Sequence, residues 1–100
     1  MIEYLKVDEN EFPVRINRRV IVQFEKKFNK GLTELANIKT DELSYLIYLG
    51  VCEGFRFLEQ KNEFKTFEKF EDELDKLSVS DFYEKTGKVI SDFFTEKKEK

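Results

Sequence analysis

The segment "LIYLGVCEGFRFL", residues 46–58, constrains what this chain can fold into more than any other stretch. It is apolar on nearly every side in a sequence that is 39% charged, and it carries Gly50 and Gly54 four residues apart. Each glycine costs a helix interior about 1 kcal/mol relative to alanine. A helix that accepts this twice at i and i+4 does so where another backbone must come close. On a helical wheel Leu43, Ile47, Val51 and Leu58 share one face, with both glycines at its centre. The expected neighbour there is the Phe-rich last helix, its rings lying across the groove. On the far side Tyr45, Leu49 and Cys52, with Tyr48 at the margin, form a second apolar stripe bordered by Glu42, Glu53, Arg56 and Glu59. Two readings of this stripe stay open: an N-terminal hairpin covers it, or part of it is a groove for an apolar segment of another protein. Tyr45, Tyr48, Leu49 and Cys52 are therefore the candidate protein-binding residues.

"IEYLKVDENEFPVRIN" is a hairpin: Ile2, Tyr4 and Val7 are extended-type residues, "DENE" is a polar turn, and Phe12, Val14 and Ile16 resume the alternation. Pro13 lacks a ladder donor and places its strand at an edge. "NRRVIVQFEKKFNKG" is a helix with Ile21, Phe24 and Phe28 on one arc and Arg19, Lys26 and Lys30 opposite. Asn17 is its expected N-cap and Gly31 its left-handed end. "LTELANI" is a turn carrying Leu32, Leu35 and Ile38 inward. Thr40 is the expected cap of the central helix, which runs to about Gln60, with Asp41 and Glu42 favourable at its positive end. Thr66 opens a third helix with Phe67, Phe70 and Leu74 on one stripe. Ser78 or Ser80 caps the last, whose apolar third holds Phe82, Tyr83, Thr86, Val89, Ile90, Phe93 and Phe94. The fold class is thus mainly α (α+β), in a single domain 1–100: a hairpin (1–16), about four helices packed as a small bundle (17–95), and a solvated tail (96–100).

The chain offers little for catalysis. There is no histidine, which removes the commonest general base and metal ligand together. One cysteine, Cys52, makes neither an internal disulfide nor an ordinary zinc site, and fits a reducing compartment. Glu53 beside it opposes thiolate formation. The glycines form no phosphate-binding loop, and "EDELD" lacks the alternation of a calcium loop. No catalytic residue, metal or cofactor is expected. The opening residues do not read as a signal peptide, and residues 43–58 are too short and too charged to span a bilayer.

Charge is unevenly spread. The net charge is −3, with a pI near 5.1. Arg15, Arg18, Arg19, Lys26, Lys27 and Lys30 nevertheless cluster in one run, and Glu68, Glu71, Asp72, Glu73, Asp75, Asp81 and Glu84 in another. Such faces either meet internally or pair with a neighbouring copy, and a core this small is compatible with a homo-oligomer. The basic run admits a nucleic-acid reading. The acidity of the whole chain and the shortage of base-reading side chains speak against it. The acidic "EDELDKLSVSDFYE" admits another, a regulatory module that masks a basic partner.

The order of motifs resembles a known family. "FPVRI" (Phe12–Ile16) is similar to a "YPVRF"-like strand, and "FEKKFNKGL" (Phe24–Leu32) follows an "LxxFExxTGxSLxEL"-like helix and turn, with the Gly shifted. "LIYLG" (Leu46–Gly50) stands near an "LLYAGL"-like segment, and Thr66–Asp75 near a "TxEEVxDLLD"-like helix. Together these resemble the small tail assembly chaperones of long-tailed (siphovirus-type) bacteriophages. The resemblance implies a non-enzymatic protein that binds the tape measure protein, keeps it soluble and helps recruit tail tube subunits. It also implies a place in the bacterial host cytoplasm and absence from the finished virion.

Overall fold

Leu5 and Val7, alternating in the first strand, are buried together with Phe12 and Val14, and they decide which way the hairpin faces. Tyr4 and Lys6 point outward. The computed structural model describes residues 2–31 and 37–98. Its elements are β1 (Glu3–Val7), β2 (Asn10–Val14), α1 (Arg18–Phe28), α2 (Thr40–Phe57), α3 (Phe67–Leu74) and α4 (Val79–Lys98). β1 and β2 pair antiparallel, Leu5 opposite Phe12 and Tyr4 opposite Pro13. The turn is narrower than "DENE": Asp8, at φ 55°, and Glu9 make it, and Asn10 and Glu11 already belong to β2. The expected inward placement of Leu32 and Leu35, and of the Phe94 side chain, lies outside the described residues.

The helix ends follow capping chemistry, with two corrections. Asn17 Oδ1 accepts the Val20 N–H at 3.0 Å, Thr66 Oγ1 the Lys69 N–H at 3.2 Å, and Ser78 Oγ the Asp81 N–H at 3.1 Å. Thr40, however, is the first residue of α2 rather than its cap. Glu42 reaches back to the Lys39 N–H at 2.9 Å, and the Thr40 hydroxyl is hydrogen-bonded to that of Tyr83 instead. Nor does Gly31 end α1. Asn29 takes the left-handed conformation at φ 56°, which its short polar side chain tolerates. α2 stops before Gln60 because Glu59 turns left-handed (φ 58°) and the Gln60 N–H folds back to the Phe55 carbonyl at 2.9 Å. α4 continues to Lys98, past the expected boundary at 95.

The glycines of α2 do press against another backbone, but not that of the last helix. A Cβ on Gly54 would lie 2.5 Å from the Pro13 carbonyl oxygen, and one on Gly50 would lie 2.8 Å from Val14 Cγ1. The Arg15 N–H donates to the Gly50 carbonyl at 2.9 Å, fixing strand to helix. β2 therefore occupies the groove expected for the Phe-rich helix, and α4 packs on β1 instead. α2 is the central element, with α1 and α3 on its other sides. The main core joins hairpin, α2, α3 and α4 through Leu5, Val14, Ile47, Val51, Phe70 and Phe82. A second cluster, Val20, Phe24 and Leu46, joins α1 to α2, so the buried arc of α1 turns toward Val20 and leaves Ile21 and Phe28 half-buried.

The glycine contacts give two substitutions of opposite sign. Gly54→Ala drives a methyl group into a carbonyl that cannot move aside, and is expected to destabilise by about 2 kcal/mol despite the better helix former. Gly87→Ala, in an exposed stretch of α4 with nothing within 4 Å of the new Cβ, is expected to stabilise by about 0.5–1 kcal/mol. Urea unfolding of the two variants checks the signs.

Candidate functional site

Tyr45, Tyr48, Leu49 and Cys52 all lie half-buried along one side of α2, as the wheel places them. The hairpin does not cover them, because it sits on the glycine face across the helix. Their neighbours are α1 and α3. Tyr45 is met edge-on by Phe28 of α1 at 5.7 Å and by Phe67 of α3 at 4.9 Å between ring centroids. Tyr48 follows at 5.7 Å from Tyr45, 5.5 Å from Phe67 and 5.7 Å from Phe70. The ring contacts continue through Phe70–Phe64 to Phe64–Phe12, so an unbroken series of aromatics runs from α1 across α2 and α3 to the hairpin. Leu49 packs on the Val20, Phe24 and Leu46 cluster. The Asn62 amide donates to Cys52 Sγ at 3.2 Å. Burial, with the Cys52 thiol beside it, pushes the Tyr48 phenol up to about 12, so its hydroxyl stays protonated at any physiological pH.

Phe28 and Phe67 were legible only as inward members of their own helices. Nothing in the spacing shows that they frame the Tyr45 stripe. Lys27 also belongs here, its ammonium 4.7 Å from the centre of the Tyr45 ring. Half the expected rim is not a rim at all. Glu42 and Glu53 are buried, while Arg56 and Glu59 are exposed.

Glu53 is the centre of a polar clamp. Its carboxylate accepts from Arg56 Nε at 3.0 Å and Nη2 at 2.8 Å, from Asn17 Nδ2 at 3.0 Å and from Arg15 Nη1 at 3.2 Å. The Arg56 hydrogen bonds first, then Asn17 and Arg15, hold the carboxyl below the usual carboxylate range against the opposing effect of burial. Glu42 is held low in the same way by the Lys39 N–H and by Lys30, whose Nζ lies 3.0 Å away. The basic run is thereby partly consumed. Arg15 and Lys30 are paired internally and Lys27 lies over a ring, which leaves Arg18, Arg19 and Lys26 exposed.

Among the described residues no group of His, Cys, Asp and Glu could hold a metal ion, and no helix is long and apolar enough to cross a membrane. No family model matches the sequence, and no curated protein and no solved structure matches it either.

The Glu53 clamp has a pH signature. A carboxyl with a depressed folded pKa contributes stability that is present above the unfolded value of about 4.3 and is lost as pH falls through the lower folded value. Glu53→Gln is expected to lose about 2 kcal/mol at neutral pH. The wild type should then lose its advantage over the variant below about pH 4.3. Urea midpoints between pH 7 and pH 2.5 test this, and parallel profiles of the two proteins would count against the clamp.

Proposed function

We propose that this protein is a tail assembly chaperone of the long-tailed phage type, and that its aromatic face holds an apolar helical segment of the tape measure protein. One observation carries the reading. Tyr45 and Tyr48 stand half-buried between α1 and α3, with Phe67 of α3 against both rings, on a side of α2 that the hairpin leaves uncovered. The motif order supplies the client; the face supplies a means of holding it. An amphipathic client helix would set anchors at i, i+3, i+4 and i+7 on these rings. Tyrosines suit such a surface, since each presents an apolar body with a polar tip that tolerates water when the client leaves. Lys27 at one margin would pair with acidic residues flanking the client anchors. On this reading the grip is moderate, because a chaperone that yields its client to tube subunits does not bind near the affinity ceiling.

The test is co-expression with the protein encoded immediately downstream, followed by pull-down. A long helical protein that is insoluble alone should become soluble and co-purify. Tyr45→Ala and Phe67→Ala, which shorten half-buried rings, should each weaken that capture about tenfold. Lys61→Ala, in the exposed loop after α2, should leave it unchanged. If both ring variants keep their circular dichroism and capture as well as wild type, the face is not the client site. If no downstream protein is captured, the family reading falls.

A further inference from the structure

A cavity of about 320 Å³ lies between the start of α2, the end of α3 and the first turns of α4, apart from the aromatic face. Its apolar wall is Leu74, Leu77, Val79 and Phe82, and Glu71 and Asp75 supply carboxylates on one side. Thr40 and Tyr83, joined by their hydroxyls, close another side and tie α4 to the start of α2. The volume is at the small end for a ligand pocket, and suits one long side chain better than a drug-sized molecule.

Four features give the occupant its chemistry. Glu71 and Asp75, spaced i and i+4, share one side of α3, and neither has a cationic partner among the described ion pairs. Both lie at the negative end of the α3 dipole, and the last turn of that helix has no basic residue. Burial first, then the charges of Asp75, Glu68, Asp41 and Asp72, push the Glu71 carboxyl up, so negative charge is crowded here without relief. The mouth, by contrast, is apolar: Val79 is 74% exposed and Tyr83 47% exposed. An occupant must therefore combine a cation with an aliphatic stem.

We propose that this cavity receives an arginine side chain from a partner protein, its guanidinium between Glu71 and Asp75 and its stem along Leu74, Leu77 and Phe82. Arginine fits better than lysine because its planar fork offers donors to two carboxylates at once, sheds water more readily, and stacks on a ring such as Tyr83. The site does not depend on the reading of the aromatic face. Its occupant belongs to a different surface.

The experiment is a titration of the full ¹⁵N-labelled chain by NMR with the peptide acetyl-Leu-Arg-Leu-amide, beside acetyl-Leu-Gln-Leu-amide. The arginine peptide should shift the amides of Glu71, Asp75, Val79 and Tyr83 in a saturable way, and the glutamine peptide should not. In Glu71→Gln/Asp75→Asn the arginine peptide should bind about fivefold more weakly or not measurably. That variant relieves like-charge crowding, so its thermal midpoint should equal or exceed that of the wild type, and loss of binding cannot be laid to unfolding. Equal response to both peptides, shifts centred on α1 or the aromatic face, or undiminished binding by the double variant would each overturn the proposal. So would salt-sensitive self-association that the double variant abolishes, because the occupant would then be a second copy of this chain through Arg18 or Arg19.

Discussion

The fold depends on one close approach, that of the Pro13–Arg15 backbone to α2 at Gly50 and Gly54. Removing two Cβ atoms lets a strand lie on a helix at backbone distance, and the Arg15 N–H bond to the Gly50 carbonyl fixes the register. Pro13 has no N–H to satisfy, so its carbonyl can lie over Gly54 without leaving a donor stranded. Once β2 is seated there, β1 is the strand left for α4, and the flanks of α2 fall to α1 and α3. The Glu53 carboxylate sits beside this seat. Asn17 serves it and the helix at once, donating through Nδ2 to Glu53 while Oδ1 caps α1. The chain thus enters α1 at an angle set by the same residues that hold the hairpin.

This arrangement divides the surface by chemistry. The glycine face is spent on the hairpin, so among the described residues the tyrosines of α2 are met by Phe28 and Lys27 of α1 and by Phe67 and Phe70 of α3. The two charge runs do not neutralise each other within the described ion pairs. Arg15 before α1 and Lys30 after it reach Glu53 and Glu42, whereas Glu71 and Asp75 at the end of α3 have no cation in the described ion pairs. Two surfaces of unlike character result, one aromatic and one acidic with an apolar mouth. Neither requires a catalytic group.

The capping role of Asn17, the helix start at Thr66, a serine cap at 78 or 80, the hairpin and the apolar stripe of α3 were all legible, because each depends on neighbours within a few positions. That the glycines meet a backbone was also legible, since only a close approach offsets two glycines in a helix. Which backbone was not. A groove without Cβ atoms accepts either rings or a strand, and local periodicity does not distinguish them. Gly31 is a reasonable helix end by type, yet Asn29 reached the left-handed turn first. By spacing, Glu53 and Glu42 read only as borders of the tyrosine stripe, and carboxylates are seldom buried. Their burial became evident only once Arg15, Asn17 and Lys30 arrived from distant parts of the chain. The Tyr45 stripe was found as a face, but its frame from α1 and α3 is tertiary and lay beyond the reach of spacing.

The series of rings from Phe28 to Phe12 has a consequence for motion. Edge-to-face neighbours in a close-packed interior do not turn independently, because each ring fills the hollow left by the next. Anything that displaced Phe67 from Tyr45 would therefore disturb Tyr48 and Phe70, and through Phe64 the hairpin itself. The aromatic face is thus continuous with the interior, the outer end of one ring series that reaches the hairpin. Its opening and closing would be a collective event, slower than the flicker of a single side chain.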